Sequence, residues 1–223
     1  MSVEKPSWPR GAGWVAATLM VLAAFGAVAA AVGMLELGVF VSSIAVFHLV
    51  EFAAVFLWRR EQLSMRSFAF NGLPYAVALG VGLLEHGIRA AARGPTWWEG
   101  EGLFTAGIAL MLVGGLTRVW AMQTAGRHFN HCVQTEVGEA HGLVEAGPYR
   151  WLRHPSYFGF YWFSIGSQLV LANPVTLLLY AAALARFFAV RIPGEEVALE
   201  ARFGAAYRWF RASRVLGLPG VRV

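Results

Sequence analysis

Long uncharged apolar runs, separated by short charged stretches, dominate the pattern along the chain. Gly11 to Leu35 is 25 residues without a charge. A membrane-spanning helix needs about 20 apolar residues, so this run predicts a first span. A signal peptide is the competing reading, because Lys5 and Arg10 precede the run and alanines crowd its end. The run exceeds an h-region of about 7–15 residues, which favours the span. Leu37 to Trp58, interrupted only by His48 and Glu51, predicts a second span. Phe68 to Ala92 predicts a third and Gly102 to Ala125 a fourth. Pro155 to Ala185 is 31 uncharged residues broken by Asn173-Pro174. The residue before a proline disfavours helix, so a tight turn and two short spans are expected there.

Two segments break the pattern. Thr124 to His154 is a 31-residue polar loop holding four of the six histidines. Glu195 to Arg214 predicts one polar helix with Leu199, Phe203, Tyr207 and Phe210 near one face, suited to a membrane interface. Pro193-Gly194, just before it, is expected to break the last span.

Composition agrees with this outline. The chain is 57% hydrophobic and 14% charged, against about 25% charged for a soluble domain. That excludes an ordinary soluble globule, and disorder as well. A single cysteine, Cys132, excludes an intrachain disulfide framework. The formal charge of +5 would suggest nucleic acid in a soluble protein; here it suggests basic residues gathered at one membrane face. With the N-terminus in the cytosol, sixteen of the eighteen Lys and Arg residues fall on the inner side and only Arg89 and Arg93 on the outer. The positive-inside rule then predicts six spans with both termini cytosolic. The expected fold is an all-α integral membrane protein, about six transmembrane helices, with its chemistry where the polar loop and C-terminal helix meet the cytosolic ends of the spans.

Several residues are candidates for that chemistry. An intramembrane carboxylate such as Glu51 is a functional hypothesis by default, and His48 shares its helix face; a hydrogen-bonded pair between helices is the favoured reading. Glu85, His86 and Arg89 are expected to face interfacial water and headgroups. The histidines follow the spacing His128-x2-His131-x9-His141-x12-His154, which resembles no compact zinc pattern, so no metal is expected. Arg153-His-Pro-Ser-Tyr-Phe-Gly159 places proline in the first turn of an apolar helix, whose N-terminal dipole suits a carboxylate group of a ligand. Arg191 and Glu195 pair a cation for an anionic substrate with a carboxylate for an ammonium, or form a plain juxtamembrane salt bridge.

From Thr124 to Gly220 the chain resembles a family. The stretches TAGRHFNHCVQTE, HGLVEAGPYRWLRHPSYFGFYWFSIGSQLVLANP, YAAALARFFAVRIPGEE and FGAAYRWF, followed by GLP, resemble the isoprenylcysteine carboxyl methyltransferases in order and spacing. RHPSY alone also occurs in related membrane methyltransferases and is similar to a motif of sterol reductases. The resemblance implies a core over residues 124–223 behind variable N-terminal spans over 1–123, shorter than those of the animal enzymes. It implies S-adenosylmethionine as cofactor, contacted by Gln134, His141, Gly142, Leu143, Val144, Tyr149, His154, Pro155, Ser156, Tyr157 and Glu195, with Arg191 positioning the substrate. Two departures stand out: Gly142 where the family has threonine, and Ile192-Pro193-Gly194 where it has acidic residues.

The reaction so implied is methyl esterification of the C-terminal carboxylate of farnesyl- or geranylgeranyl-cysteine. Its partners are prenylated protein C-termini of the small-GTPase type, prenylcysteine analogues and the lipid bilayer, with no nucleic acid. For a eukaryotic chain the implied location is the endoplasmic reticulum membrane, active site toward the cytosol. The other readings are a membrane methyltransferase acting on a phospholipid or small lipophile, a sterol-reductase-like NADPH enzyme, and a non-catalytic scaffold.

Overall fold

A helix that is apolar on every side has no face to give to water, and the chain opens with two of them. The computed structural model describes residues 9–58, 60, 63–70, 72–92, 100–126 and 142–222. In chain order the helices are α1 (Ala12–Ala31), α2 (Leu35–Trp58), a 3-10 turn (Met65–Phe68), α3 (Leu73–Ala92), α4 (Glu101–Ala125), a second 3-10 turn (Gly147–Arg150), α5 (Pro155–Val170), α6 (Pro174–Phe203) and α7 (Ala205–Ser213). Among the described residues, five stretches are long and apolar enough to cross a membrane: α1, α2, Met65–Ala92, α4 and α6. Phe25, Val28, Leu84, Leu116, Leu178 and Val190 stand exposed on them, as lipid-facing helices require. The protein is a multi-pass membrane protein.

The fifth expected span, α5, is a helix of 16 residues. At about 1.5 Å per residue it is shorter than the roughly 30 Å hydrocarbon core, in line with the short spans expected on either side of Asn173-Pro174, and none of its residues is exposed. Two boundaries differ from expectation. The first uncharged run contains a turn after Ala31, so Leu35 already opens α2. The third begins with the 3-10 turn and enters regular helix only at Leu73.

The chain packs as two compact units. One runs to Thr105 and includes Val170–Asn173. In it α1 and α2 approach backbone to backbone: a Cβ on Gly26 would stand 2.6 Å from the Gly38 carbonyl oxygen. His48 is buried and its Nδ1 lies 2.7 Å from the Phe68 carbonyl. A carbonyl only accepts, so Nδ1 carries the proton and the neutral ring's Nε2 accepts from the Tyr75 hydroxyl at 2.9 Å. His48 is therefore bonded between elements, as the favoured reading held, and its neighbour Glu51 is buried too. His86 and Arg89 depart from expectation. His86 Nδ1 and Arg89 Nη1 both donate to the Leu171 carbonyl, at 3.2 and 3.1 Å, and Asn173 Nδ2 donates to the Gly82 carbonyl at 2.7 Å. The Leu171 carbonyl, in a turn without an intrahelical partner, draws the His86 and Arg89 donors away from water.

The other unit comprises Ala106–Leu169 and the chain from Pro174 onward. Gly107, Met111, Gly114, Arg118, Ala121, Met122 and Ala125 form the buried stripe of α4. A Cβ on Gly159 of α5 would stand 2.6 Å from Arg118 Cβ, and one on Gly166 would stand 2.6 Å from the Gly107 carbonyl oxygen. Small residues thus let α4 and α5 touch through their backbones. Tyr161 and Ile165 of α5 meet Phe188 and Ile192 of α6 in a core closed by Leu216 and Leu218.

Two expectations about the C-terminal region are corrected. Helix α6 runs through Pro193 without a break. Proline removes one backbone donor, but buried Ile192 and ion pairs of Arg191 and Glu196 hold both sides of the site; neighbouring contacts of this kind make proline tolerable in membrane helices. The expected single helix from Glu195 to Arg214 is in fact the tail of α6 and the separate α7. They are divided at Gly204, whose φ of 55° leaves the right-handed helical region and is one that glycine adopts readily.

Candidate functional site

His154 immediately precedes α5, and Pro155 is that helix's first residue, as the His-Pro sequence predicted. The continuity of α6 brings Arg191, Glu195 and Glu196 to the same place. Arg191 Nε donates to Glu195 Oε1 at 2.9 Å, one turn along α6, and to the Tyr157 hydroxyl at 2.8 Å. The Tyr157 hydroxyl in turn donates to Glu195 Oε1, closing a three-membered ring of contacts. The Arg191 guanidinium also lies 5.5 Å from the Tyr157 ring centroid.

Beside this ring sits a second carboxylate. Glu196 is 3% exposed. Its Oε1 takes Arg153 Nη1 at 2.7 Å and His154 Nε2 at 3.3 Å, and its Oε2 faces Arg211 of α7 at 3.8 Å. His154 therefore stands between two carboxylates, with Nδ1 3.8 Å from Glu195 Oε2. Its ring stacks on Tyr157 at 5.4 Å, with 4° between the planes. A carboxylate only accepts, so Glu196 holds the Nε2 proton and sets the orientation of the ring.

Loops lock the start of α5. The Arg153 amide donates to the Val215 carbonyl, and the Val215 amide to the Trp151 carbonyl, both at 3.0 Å. Trp162 Nε1 donates to the Gly217 carbonyl at 3.1 Å. Tyr149, in the 3-10 turn, is half-buried. Desolvation pushes its phenol above the ordinary value; Arg118 pulls it back and Glu195 adds to the rise. It remains a neutral donor at physiological pH.

Of the residues singled out from the sequence, His154, Tyr157, Arg191 and Glu195 converge, with Pro155 and Ser156 buried beside them. Gly142, Leu143 and Val144 lie in an irregular segment, Gly142 exposed and the other two half-buried. Gln134 and His141 lie outside the described residues, as do His128, His131 and Cys132. Among the described residues no group of three His, Cys, Asp or Glu side chains is arranged to hold a metal.

Three charged residues of this region carry contacts the sequence reading passed over: Glu196, Arg153 and Arg118. The adjacent carboxylates at 195 and 196 were the available signal for the first. For Arg118 it was the small-residue stripe of α4, which places a lone cation among buried glycines and alanines.

Chemically, the cluster offers a carboxylate, an oriented imidazole, a phenol and a guanidinium within a few ångströms. Glu195 Oε1 takes both internal bonds, from Arg191 and Tyr157, which leaves Oε2, 3.8 Å from His154 Nδ1, able to accept a further donor. A helix N-terminus favours an anion. The set therefore fits the zwitterionic end of an amino acid, with Arg191 beside it for a second anion.

Known proteins share this arrangement of sequence and fold. Residues 107–201 match the Isoprenylcysteine carboxyl methyltransferase (ICMT) family. A Xenopus laevis protein-S-isoprenylcysteine O-methyltransferase is 37% identical over 186 residues, covering 83% of this chain and 64% of its own. An Arabidopsis thaliana protein-S-isoprenylcysteine O-methyltransferase A is 36% identical over 80% of this chain and 90% of its own. The solved structure of the eukaryotic intramembrane Ras methyltransferase ICMT superposes with a TM-score of 0.86 at 33% identity, covering 93% of this chain and 75% of that one. This chain spans about 64% of the frog relative's length and about 65% of the rat's. A plant relative matched over nine-tenths of its length, together with a solved family structure that superposes over 93% of this chain, places the chain in the isoprenylcysteine carboxyl methyltransferase family.

Proposed function

We propose that the protein transfers a methyl group from S-adenosylmethionine to the C-terminal carboxylate of a prenylated cysteine, at the cytosolic face of a membrane. One observation carries the reading: Arg191 and Glu195 stand one turn apart on an unbroken α6, bonded at 2.9 Å and capped by Tyr157. The relatives' names as prenylcysteine methyltransferases supply the substrate class, and the 16-to-2 distribution of basic residues supports a cytosolic site. For a eukaryotic chain the membrane is that of the endoplasmic reticulum.

The residues fit the cofactor. Glu195 Oε2 would take its ammonium and the start of α5, just after His154, its carboxylate, with Tyr149 nearby; Gln134, His141 and the Gly142–Val144 segment would supply the further contacts that the family resemblance implies. When bound, the cofactor supplies an electrophilic methyl group on sulfur. The chain's own residues do the remaining work. An α-carboxylate ionises at a pKa of about 3.3–3.7, so the nucleophile is already charged and no general base is required. Arg191 orients it through a planar fork. Glu195 and Tyr157 share the Arg191 charge, so the carboxylate is positioned without being fully neutralised. Alignment of this kind contributes roughly 7–11 kcal/mol. The prenyl chain remains in the lipid-facing part of the protein, which explains a polar reaction in so apolar a chain. Esterification removes a charge that the anionic leaflet repels.

The test is a tritiated-methyl assay with N-acetyl-farnesylcysteine in membranes carrying the protein. Base-labile methanol released from the product supports the reading. Label stable to base, or found in phospholipid, would point instead to a different membrane methyltransferase.

A further inference from the structure

Arg118 lies within the α4 stripe, 7% exposed, among residues that are otherwise apolar. A buried cation in a membrane helix is costly and needs a reason. Its Nη1 donates twice to one residue: to the Ser156 carbonyl at 3.0 Å and to the Ser156 hydroxyl oxygen at 2.9 Å. The guanidinium also lies 5.5 Å from the Phe160 ring centroid. The backbone contact of Gly159 with α4 fixes this register, since Arg118 Cβ is already against that glycine.

The chemistry of the pair is directional. Arginine has donors and no acceptor, whereas a serine hydroxyl has one proton and two lone pairs. With a lone pair engaged by Arg118, the Ser156 hydroxyl turns its proton elsewhere, and the adjacent charge polarises that O–H into a stronger donor. Ser156 is 6% exposed and sits in the first turn of α5, where the helix dipole adds positive potential. That potential favours an anion at this end of α5.

We propose that Arg118 is a positioning residue of the cofactor site: by donating to Ser156 it commits the Ser156 hydroxyl to donate to the carboxylate of bound S-adenosylmethionine. The inference rests on the proposed reading of this site. It assigns the acidic group of the cofactor to the Ser156 side of α5 and the ammonium to the Glu195 side.

The experiment measures S-adenosylhomocysteine binding to the purified full chain by calorimetry, alongside KM and kcat. Wild-type binding and methyl transfer test the proposed function first. Ser156→Ala is then expected to weaken binding about ten- to a hundredfold, the range for a hydrogen bond to a charged group, while Ser156→Thr, which keeps the hydroxyl, recovers most of it. Arg118→Met is expected to weaken binding similarly, and the double variant to be no weaker than the poorer single one, because both act through one bond. Wild-type-like binding by Ser156→Ala overturns the proposal even if every Arg118 variant fails to fold. So do additive losses in the double variant, or a loss by Arg118→Met confined to thermal stability.

Discussion

Arg191 and Glu195 are bonded at 2.9 Å across a turn of α6 that contains Pro193. The helix therefore presents a cation and a carboxylate on one face in fixed register. Replacing Arg191 by alanine is expected to leave cofactor binding within a few-fold and to lower kcat/KM about a hundredfold, a loss of about 3 kcal/mol in transition-state stabilisation. Arg191→Lys is expected to recover only part, because an ammonium lacks the two-pronged geometry. Near-normal kinetics for the lysine variant would identify Arg191 as a membrane anchor.

Glu195→Gln keeps shape and removes charge. Cofactor affinity is expected to fall by about 1.5–3 kcal/mol, read by calorimetry or by the KM for S-adenosylmethionine. Unchanged affinity in a folded variant would take Glu195 out of the cofactor site.

Glu196 is expected to act on stability first. Glu196→Ala removes the carboxylate that Arg153 meets at 2.7 Å with only 12% of its side chain exposed. Stranding one member of a buried pair costs about 3–5 kcal/mol, so thermal unfolding in detergent is expected to begin several degrees lower, with α7 loosened through Arg211. An unchanged midpoint would mean that this pair contributes nothing net.

Tyr207 gives a pH signature. Burial, reinforced by the neighbouring Glu196 carboxylate, pushes its phenol above the ordinary 10.0. The folded chain then binds this proton more tightly than the unfolded one. The associated stability is intact below about pH 10 and is lost as pH rises beyond it. Tyr207→Phe is expected to flatten that alkaline decline in part, since Tyr149 shifts in the same direction. An alkaline profile unaltered by the substitution would remove Tyr207 as a cause.

The membrane helices were legible because uncharged runs near 20 residues have few alternatives in water or lipid. The Asn173-Pro174 turn and the start of α5 at Pro155 were legible for a similar reason, since proline restricts its neighbour and suits a first helical turn. The same local rule failed at Pro193, where Ile192 in the core and Arg191, Glu195 and Glu196 in ion pairs outweigh one missing amide. His154 and Tyr157 in the Arg153–Gly159 motif, and the Arg191/Glu195 pair, stood out as residues and took their roles from the family resemblance; they meet in one cluster. Arg118 and Arg153 read only as basic residues on the inner face, because a charge count carries no information about partners. The fork between Glu195 and Glu196 depends on which way α6 rotates after Pro193, which is a tertiary matter.

The strap from Val215 to Pro219 has a consequence for biogenesis. Trp162 finds its acceptor 55 residues downstream and Tyr161 its acceptor 58 residues downstream. Contacts so distant in sequence form late. A nascent chain halted before Val215 would hold α5 with the Arg153 amide and the Trp162 indole still waiting for their acceptors. The first turns of α5 can therefore reach their final form only once the Val215–Pro219 strap has been made, which separates in time the winding of that helix from the locking of its start.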